Sequence, residues 1–132
     1  MQIFRDRAKK TLFVSQERYI RKVLERCNME NCHGCKTPMD TKLDLTKPEE
    51  ATIVGTVEYQ SLVGSVMYAM LASRPDLAYA VSTLSKFNSC PAAAHHAAAK
   101  RVLRYLQETK EYGLLYRGQE DTTFPEPVCY TD

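Results

Sequence analysis

The sequence predicts an α+β fold that is predominantly helical, with a β-hairpin at its N-terminal end and short strands at its C-terminal end. Two short apolar segments flank a charged stretch near the start of the chain, which is typical of a hairpin. Further along, apolar residues recur at the three- and four-residue spacing of amphipathic helices. With 132 residues, the chain is within the range of a single domain.

The composition excludes several classes of protein. Hydrophobic residues make up 44% of the chain and charged residues 26%, which is typical of a globular protein rather than a disordered or fibrous one. No apolar run approaches the roughly 20 residues of a membrane span, and the first residues do not resemble a signal peptide. We therefore expect an intracellular protein, cytoplasmic or nuclear, without a membrane partner. Five cysteines, an odd number, predict free thiols.

Residues 1–27 are predicted to form the hairpin and the helix that follows it. The apolar segments 2–4 and 11–14 are the expected strands. Ser15 is placed to cap the helix, which should end near residue 28. The apolar residues that recur on one face of this helix are Tyr19, Ile20, Val23, Leu24 and Cys27.

The rest of the chain divides into three regions. Residues 28–57 carry scattered apolar residues among glycines, prolines and aspartates, and are predicted to be a linker. Residues 58–113 are predicted to be a module of three helices, the second of which starts at Pro75. Residues 114–132 are predicted to form two short strands around a polar loop that contains prolines.

The first helix of this module carries a stripe of residues that suits contact with a nucleic-acid duplex. Gln60, Gly64 and Tyr68 are four residues apart, so they lie along one side of the helix with about 6 Å of rise between neighbours. In a groove, an amide can bond base edges or sugars, a glycine allows close approach, and an aromatic ring can lie against ribose. The alternative is that Gly64 only permits tight helix packing and that Tyr68 is half-buried.

Two groups of basic residues are candidates for phosphate contact. They are Arg18, Lys22 and Arg26 on the helix after the hairpin, and Lys100, Arg101 and Arg104 on the last helix. Such cations neutralise phosphates without sequence choice. The alternative is two solvated faces, because acidic residues interrupt the first group and follow the second. The net charge of +2 is too small to indicate nucleic acid by itself.

Several motifs between Tyr59 and Tyr116 resemble those of one known family. In order they are Y-x-x-L-V-G-S-x-M-Y, R-P-D-x-A-Y-A-V, L-S-x-F, H-x-x-A-A-K-R-x-L-R-Y-L and G-L-x-Y. The series resembles the Pol polyprotein of copia-type LTR retrotransposons, in the region after the reverse transcriptase palm. The segments 1–3 and 12–20 also resemble this family's hairpin signature, although its leading glycine is absent. The resemblance therefore covers nearly the whole chain.

This resemblance implies a function in holding nucleic acid. The hairpin would position the primer end, and residues 58–113 would form the thumb and connection, with Gln60, Gly64 and Tyr68 tracking the minor groove of the primer–template. The partners would be an RNA–DNA or DNA duplex and the remainder of the Pol polyprotein. The parent protein would be an RNA-directed DNA polymerase with an RNase H domain.

The resemblance also implies that the catalytic groups are incomplete in this chain. Polymerisation uses clustered carboxylates that hold two Mg²⁺ ions, and the family's Y-V-D-D turn does not occur here. Residues 129–132 resemble the first strand of the RNase H domain, in which Asp132 would be a metal-binding carboxylate once a downstream domain is present. We therefore expect no cofactor in this chain, Mg²⁺ in the parent enzyme, and no polymerase or RNase H activity from this chain alone.

Three alternatives to these roles stay open. A decayed or co-opted transposon remnant could act as a helical interaction module without binding nucleic acid. Three cysteines and a histidine within residues 27–35 suggest a zinc module, but they lack the loop-separated pairs of a zinc site. His95 and His96 have no ligand partner four residues on and no neighbouring nucleophile, so we expect partly exposed histidines at a helix start.

Overall fold

The computed structural model describes residues 1–40, 42, 45 and 55–118, and within them it confirms the α+β class. The predicted strand at residues 128–131 lies outside this part of the chain. None of the helices described is long and apolar enough to cross a membrane. The elements are β1 (Gln2–Asp6), β2 (Thr11–Ser15), α1 (Glu17–Arg26), α2 (Thr56–Ala72), a 3₁₀ turn (Pro75–Leu77), α3 (Ala78–Ser85), α4 (Ala93–Glu108) and β3 (Gly113–Arg117).

The N-terminal hairpin forms as predicted. Strands β1 and β2 are antiparallel, with Gln2 opposite Ser15. The turn between them is closed by the Asp6 carboxylate, whose Oδ1 accepts the backbone N–H groups of Ala8 and Lys9 at 3.0 and 3.1 Å. A short polar side chain that bonds its own backbone two or three residues on is a common way to close such a turn.

Strand β3 joins this hairpin to make a three-stranded sheet in the order β1-β2-β3. It runs antiparallel to β2 along its full length, with Thr11 opposite Arg117 and Ser15 opposite Gly113. A side chain at residue 113 would collide with the Val14 carbonyl oxygen, so this pairing requires glycine there. The sheet thus links the first and last of the predicted regions, a pairing that the sequence did not indicate.

The hydrophobic core lies between the four helices and not against the sheet. Tyr59 is fully buried in it and donates its hydroxyl hydrogen to the Leu84 carbonyl at 2.8 Å. Burial raises the pKa of Tyr59 to about 12, because the phenolate would be poorly solvated there. The other large buried members are Ile20, Leu24, Val63, Val66, Leu77, Val102, Leu103 and Leu106.

Both faces of the sheet carry apolar side chains that the helices do not cover. Ile3 and Phe4 on β1 and Leu115 and Tyr116 on β3 are each more than half exposed. Because successive residues of a strand point to opposite faces, these four side chains are distributed over both faces. The sheet therefore offers surface for packing that this part of the chain does not use.

A buried arginine connects the end of α2 to the end of α4. Arg74 is 1% exposed and forms a two-pronged ion pair with Asp76, at 3.0 and 2.8 Å. It also donates to the backbone and hydroxyl oxygens of Thr109 at 2.9 and 2.7 Å. The rings of Tyr105 and Tyr112 lie 5.4 and 5.5 Å from its guanidinium carbon. Such a charge-assisted network holds the helices in one arrangement.

Asp76 is therefore more than an acidic residue in the first turn of a helix. Burial would raise the pKa of its carboxyl, but the hydrogen bonds and charge of Arg74 and the hydroxyl of Tyr105 outweigh that effect and lower the pKa. Asp76 lies in the 3₁₀ turn Pro75–Leu77. Helix α3 is shorter than the apolar pattern predicts, because it begins at Ala78 instead of Pro75 and ends at Ser85.

Candidate nucleic-acid interface

The predicted stripe on α2 lies on the outside of the bundle. Gln60, Gly64 and Tyr68 are all exposed, on the face opposite the buried side chains of Tyr59 and Val63. A Cβ built at Gly64 meets no atom within 4 Å. Gly64 therefore does not serve helix packing within the described chain, and the packing alternative fails for this residue.

Tyr68 projects from this face, and the ring of Tyr19 packs against one side of it. It is 54% exposed, and its ring meets that of Tyr19 on α1 edge-on, with 4.8 Å between the ring centroids. The Tyr19 hydroxyl in turn donates to the Ser65 backbone carbonyl of α2 at 3.1 Å. These contacts hold α1 beside the exposed face of α2 and leave the outer side of the Tyr68 ring available.

The side chain of Gln60 forms a hydrogen bond within the protein that its position in the sequence does not predict. Its amide nitrogen donates to the backbone carbonyl of Asn88, in the turn after α3, at 2.8 Å. This bond ties α2 to that turn. Gln60 is exposed and its amide nitrogen is engaged, so it can act toward a groove mainly as an acceptor through the amide oxygen.

The basic residues of the first group lie on α1, the helix that packs beside α2. Arg18, Lys22 and Arg26 are exposed and lie one turn apart along the helix. Arg26 donates a short hydrogen bond to the Ser65 hydroxyl of α2. Arg26 and Tyr19 thus hold α1 beside α2, an association that the sequence spacing could not establish because the two helices are about 30 residues apart.

The basic residues of α4 have a different role. Arg101 donates to the Thr37 hydroxyl at 2.9 Å, and Arg104 donates through Nε to the His33 carbonyl at 2.7 Å. The Cys35 backbone N–H closes the connection by donating to the Arg104 carbonyl at 3.3 Å. Both arginines are partly buried, and they hold the loop after α1 against α4.

Lys100 lies apart from these two arginines. It is exposed, and it lines a groove between α1, α2 and α4 that Arg26 also lines. The six basic residues of the two predicted groups therefore do not form one surface. Arg18 and Lys22 are exposed on α1, Arg26 and Lys100 line the groove, and Arg101 and Arg104 hold the loop.

The cysteine cluster forms no metal centre in the described part of the chain. Within it, no group of three or more His, Cys, Asp or Glu side chains converges, and Cys27, Cys32, Cys35 and Cys90 are free thiols. Burial raises the pKa of the Cys32 thiol, which opposes the thiolate form that a metal needs. Asp132, the predicted RNase H carboxylate, lies outside the described residues.

The expectation of two partly exposed histidines is wrong for His95. His95 is 3% exposed, its Nδ1 accepts the Ala92 backbone N–H at 2.8 Å, and its Nε2 lies 2.9 Å from the Leu45 carbonyl. Its ring stacks on Phe87 with 3.9 Å between centroids. Because the first bond requires an unprotonated Nδ1, the hydrogen is on Nε2 and is donated to Leu45. His95 therefore caps the start of α4 and links it to Leu45 and Phe87.

Comparison with curated proteins identifies relatives along the whole chain. The retrovirus-related Pol polyprotein from transposon TNT 1-94 of Nicotiana tabacum is 42% identical over 100% of this chain and 10% of its own length. The corresponding polyprotein from transposon RE2 of Arabidopsis thaliana is 40% identical over 80% of this chain and 7% of its own length. The chain thus spans a tenth or less of these two relatives.

A shorter match is closer in sequence. The secreted RxLR effector protein 161 of Plasmopara viticola is 59% identical over 58 residues, which are 44% of this chain and 41% of that protein. No family model matches the chain. No solved structure matches it significantly.

Proposed function

Because the chain belongs among the Pol polyproteins of copia-type LTR retrotransposons, of which it corresponds to one segment, we propose that it grips a nucleic-acid duplex. The exposed face of α2 lies against the minor groove, and Arg18 and Lys22 of α1 face the phosphates beside it. The observation that carries this proposal is the open space at Gly64, on a face where an aromatic ring and an amide flank it.

The shape of the α2 face supports contact with a backbone rather than with a small ligand. Gln60 and Tyr68 are separated by two turns, or about 12 Å along the helix axis, with no side chain at Gly64 between them. The minor groove is about 6 Å wide in B-form DNA and wide and shallow in A-form helices. In both, the absence of a side chain at Gly64 lets the helix backbone approach sugars and base edges closely. Tyr68 is amphipathic and braced, so its ring can lie against sugars at little entropic cost.

The charges of α1 supply affinity without sequence choice. Arg18 and Lys22 are exposed on successive turns of α1, a spacing that follows a phosphate backbone. Neutralising phosphates releases counterions, so this contribution weakens as salt rises. Arg101 and Arg104 are not part of the proposed surface, because their guanidinium groups already bond the loop after α1.

Catalysis belongs to other parts of the polyprotein in this proposal. The parent enzyme's polymerase and RNase H chemistry requires Mg²⁺ held by clustered carboxylates. The described residues do not fit such a site, since no three of their acidic, histidine or cysteine side chains converge. The remainder of the polyprotein is then the partner that supplies the reaction, and the exposed sheet is a surface on which it can pack.

Fluorescence anisotropy with a labelled, blunt RNA–DNA hybrid tests the proposal. We expect binding that weakens by one to two orders of magnitude between about 50 and 200 mM salt, as a few phosphate contacts imply. Gly64→Leu fills the open space and should weaken binding at least tenfold without unfolding the bundle. Lys86→Ala, an exposed lysine at the end of α3, is the matched control and should bind as the wild type does. No binding at micromolar protein would refute the proposal.

A second candidate is a helical interaction module that binds protein and not nucleic acid. The 59% identity to a protein named as a secreted effector favours it, because a similar segment of 58 residues occurs there in a protein of another kind. The same assay separates the two candidates. Absence of duplex binding by a folded wild-type chain would favour the interaction module.

A further inference from the structure

A groove lies where α1, α2 and α4 meet. Its volume is about 400 Å³, and pockets that hold small ligands measure roughly 300 to 1,000 Å³. Its floor is apolar and includes Met29, Leu62 and Leu103. Arg26 of α1 and Lys100 of α4 line it from different helices, and both are exposed. The groove thus combines an apolar floor with two cations.

The polar groups of the groove indicate the chemistry of its ligand. Glu58 also lines it, but the carboxylate of Glu58 folds back over Gly55, where its Oε2 lies 2.6 Å from the position of a Cβ. The negative charge is therefore directed to the start of α2, where it is favourable. Ser61 adds a hydroxyl, and His96 adds a ring whose centroid lies 5.1 Å from that of Tyr59. These groups suit a flat, largely apolar ligand that carries a negative charge.

The groove continues the exposed face of α2. Ser61 lies in the groove, and Gly64 follows it along the same side of the helix, about 4.5 Å further along the axis. Arg26 lines the groove and also donates to the hydroxyl of Ser65, the residue that follows Gly64 on α2. A strand that leaves a duplex bound on the α2 face would therefore meet the groove within one or two nucleotides.

We propose that this groove binds an unpaired nucleotide of a single-stranded extension next to the bound duplex. The base rests on Met29 and Leu62, the partly exposed apolar side chains of the groove, and Arg26 and Lys100 contact the adjoining phosphates. This inference rests on the proposed duplex-binding function. A groove with one occupant of this kind would fix where the duplex ends on the protein.

Anisotropy with two probes tests the inference on the full chain. One is a blunt RNA–DNA hybrid, and the other is the same hybrid with a three-nucleotide single-stranded extension. We expect the extension to tighten binding to the wild type about five- to tenfold. Lys100→Glu and Val57→Glu both place a carboxylate at exposed positions of the groove, and each should abolish this gain while blunt-hybrid affinity changes less than twofold.

The possible results separate the two proposals. Equal affinity of the wild type for both probes, or a gain that persists in both variants, overturns the groove inference and leaves duplex binding intact. If the blunt hybrid does not bind, the proposed function fails. In that case, binding of a single-stranded trinucleotide tests the groove. Absence of this binding overturns the inference as well. Displacement of the bound extension by an acidic amphipathic peptide that binds more tightly would assign the groove to a peptide instead.

Discussion

The two groups of basic residues are alike in the sequence and different in the structure. Arg101 and Arg104 of α4 bond the loop that passes over them, whereas the side chains of Arg18 and Lys22 on α1 are exposed. Both groups lie on amphipathic helices with helical spacing. The difference shows that whether a surface cation holds the fold or is available to a partner depends on which segment crosses it.

The largest expected effect comes from the most deeply buried cation. Arg74→Ala removes the ion-pair partner of Asp76 and both hydrogen bonds that Arg74 donates to Thr109. The Thr109 carbonyl keeps the Tyr112 backbone N–H as a donor, whereas the hydroxyl oxygen loses its donor. We expect the free energy of unfolding to fall by about 2–3 kcal/mol, the order of hydrogen bonds made by a charged group, because the Asp76 side chain is 37% exposed and water can solvate it in the variant. Urea unfolding monitored by circular dichroism measures this change.

Acid titration is the control for that variant. Because Arg74 lowers the pKa of Asp76 in the folded state, the wild type gains stability from this pair above the ordinary carboxyl pKa of about 3.9. That stability is lost as the pH falls through the folded pKa. Arg74→Ala should lack this loss. An Arg74→Ala chain as stable as the wild type would show that the network contributes nothing to the fold.

The next effect tests the structural role of the α4 arginines. Arg104→Ala removes the bond to the His33 carbonyl and loosens the loop after α1, so the free energy of unfolding should fall by about 1–2 kcal/mol. Binding of a blunt RNA–DNA hybrid should change less than twofold, since Arg104 is not on the α2 face. If Arg104→Ala left stability unchanged and bound the hybrid much more weakly, Arg104 would contact the duplex as the α1 cations are proposed to do.

A substitution at Gly64 should have the opposite pattern to Arg104→Ala, because we expect it to raise stability and to weaken binding. Glycine in a helix costs about 1 kcal/mol relative to alanine, and nothing lies near a Cβ at this position. We therefore expect Gly64→Ala to stabilise the chain by about 1 kcal/mol, measured by thermal or urea unfolding. If the duplex approaches this position as proposed, hybrid affinity falls in the same variant. Destabilisation would indicate packing at Gly64.

The smallest effect concerns one exposed cation of α1. Lys22→Ala should leave stability within about 0.5 kcal/mol, as is usual for exposed substitutions. It should weaken hybrid binding a few-fold and reduce the slope of log affinity against log salt by about 0.9, the value for one phosphate contact. An unchanged slope would remove Lys22 from the proposed surface.

Much of the fold could be predicted because it depends on local pattern. The hairpin, the helix after it and the helices that became α2 and α4 follow from apolar periodicity, and the fold class is as expected. The pairing of β3 with β2 could not be predicted, because about 100 residues separate the strands and their alternation does not specify a neighbour. The Arg74 network was missed in part for the same reason, because Thr109 lies 35 residues further along the chain, although Asp76 is only two residues from Arg74.

The sequence by itself determined the elements, the kinship with transposon Pol polyproteins and the stripe of Gln60, Gly64 and Tyr68, because each depends on residue identity and helical or strand period. Only the tertiary structure decided that Gly64 faces open space, that Arg101 and Arg104 hold a loop, and that Arg26 and Lys100 share a groove. The physical reason is that burial and hydrogen-bond partners arise from contacts between segments far apart in the chain, which local spacing does not record.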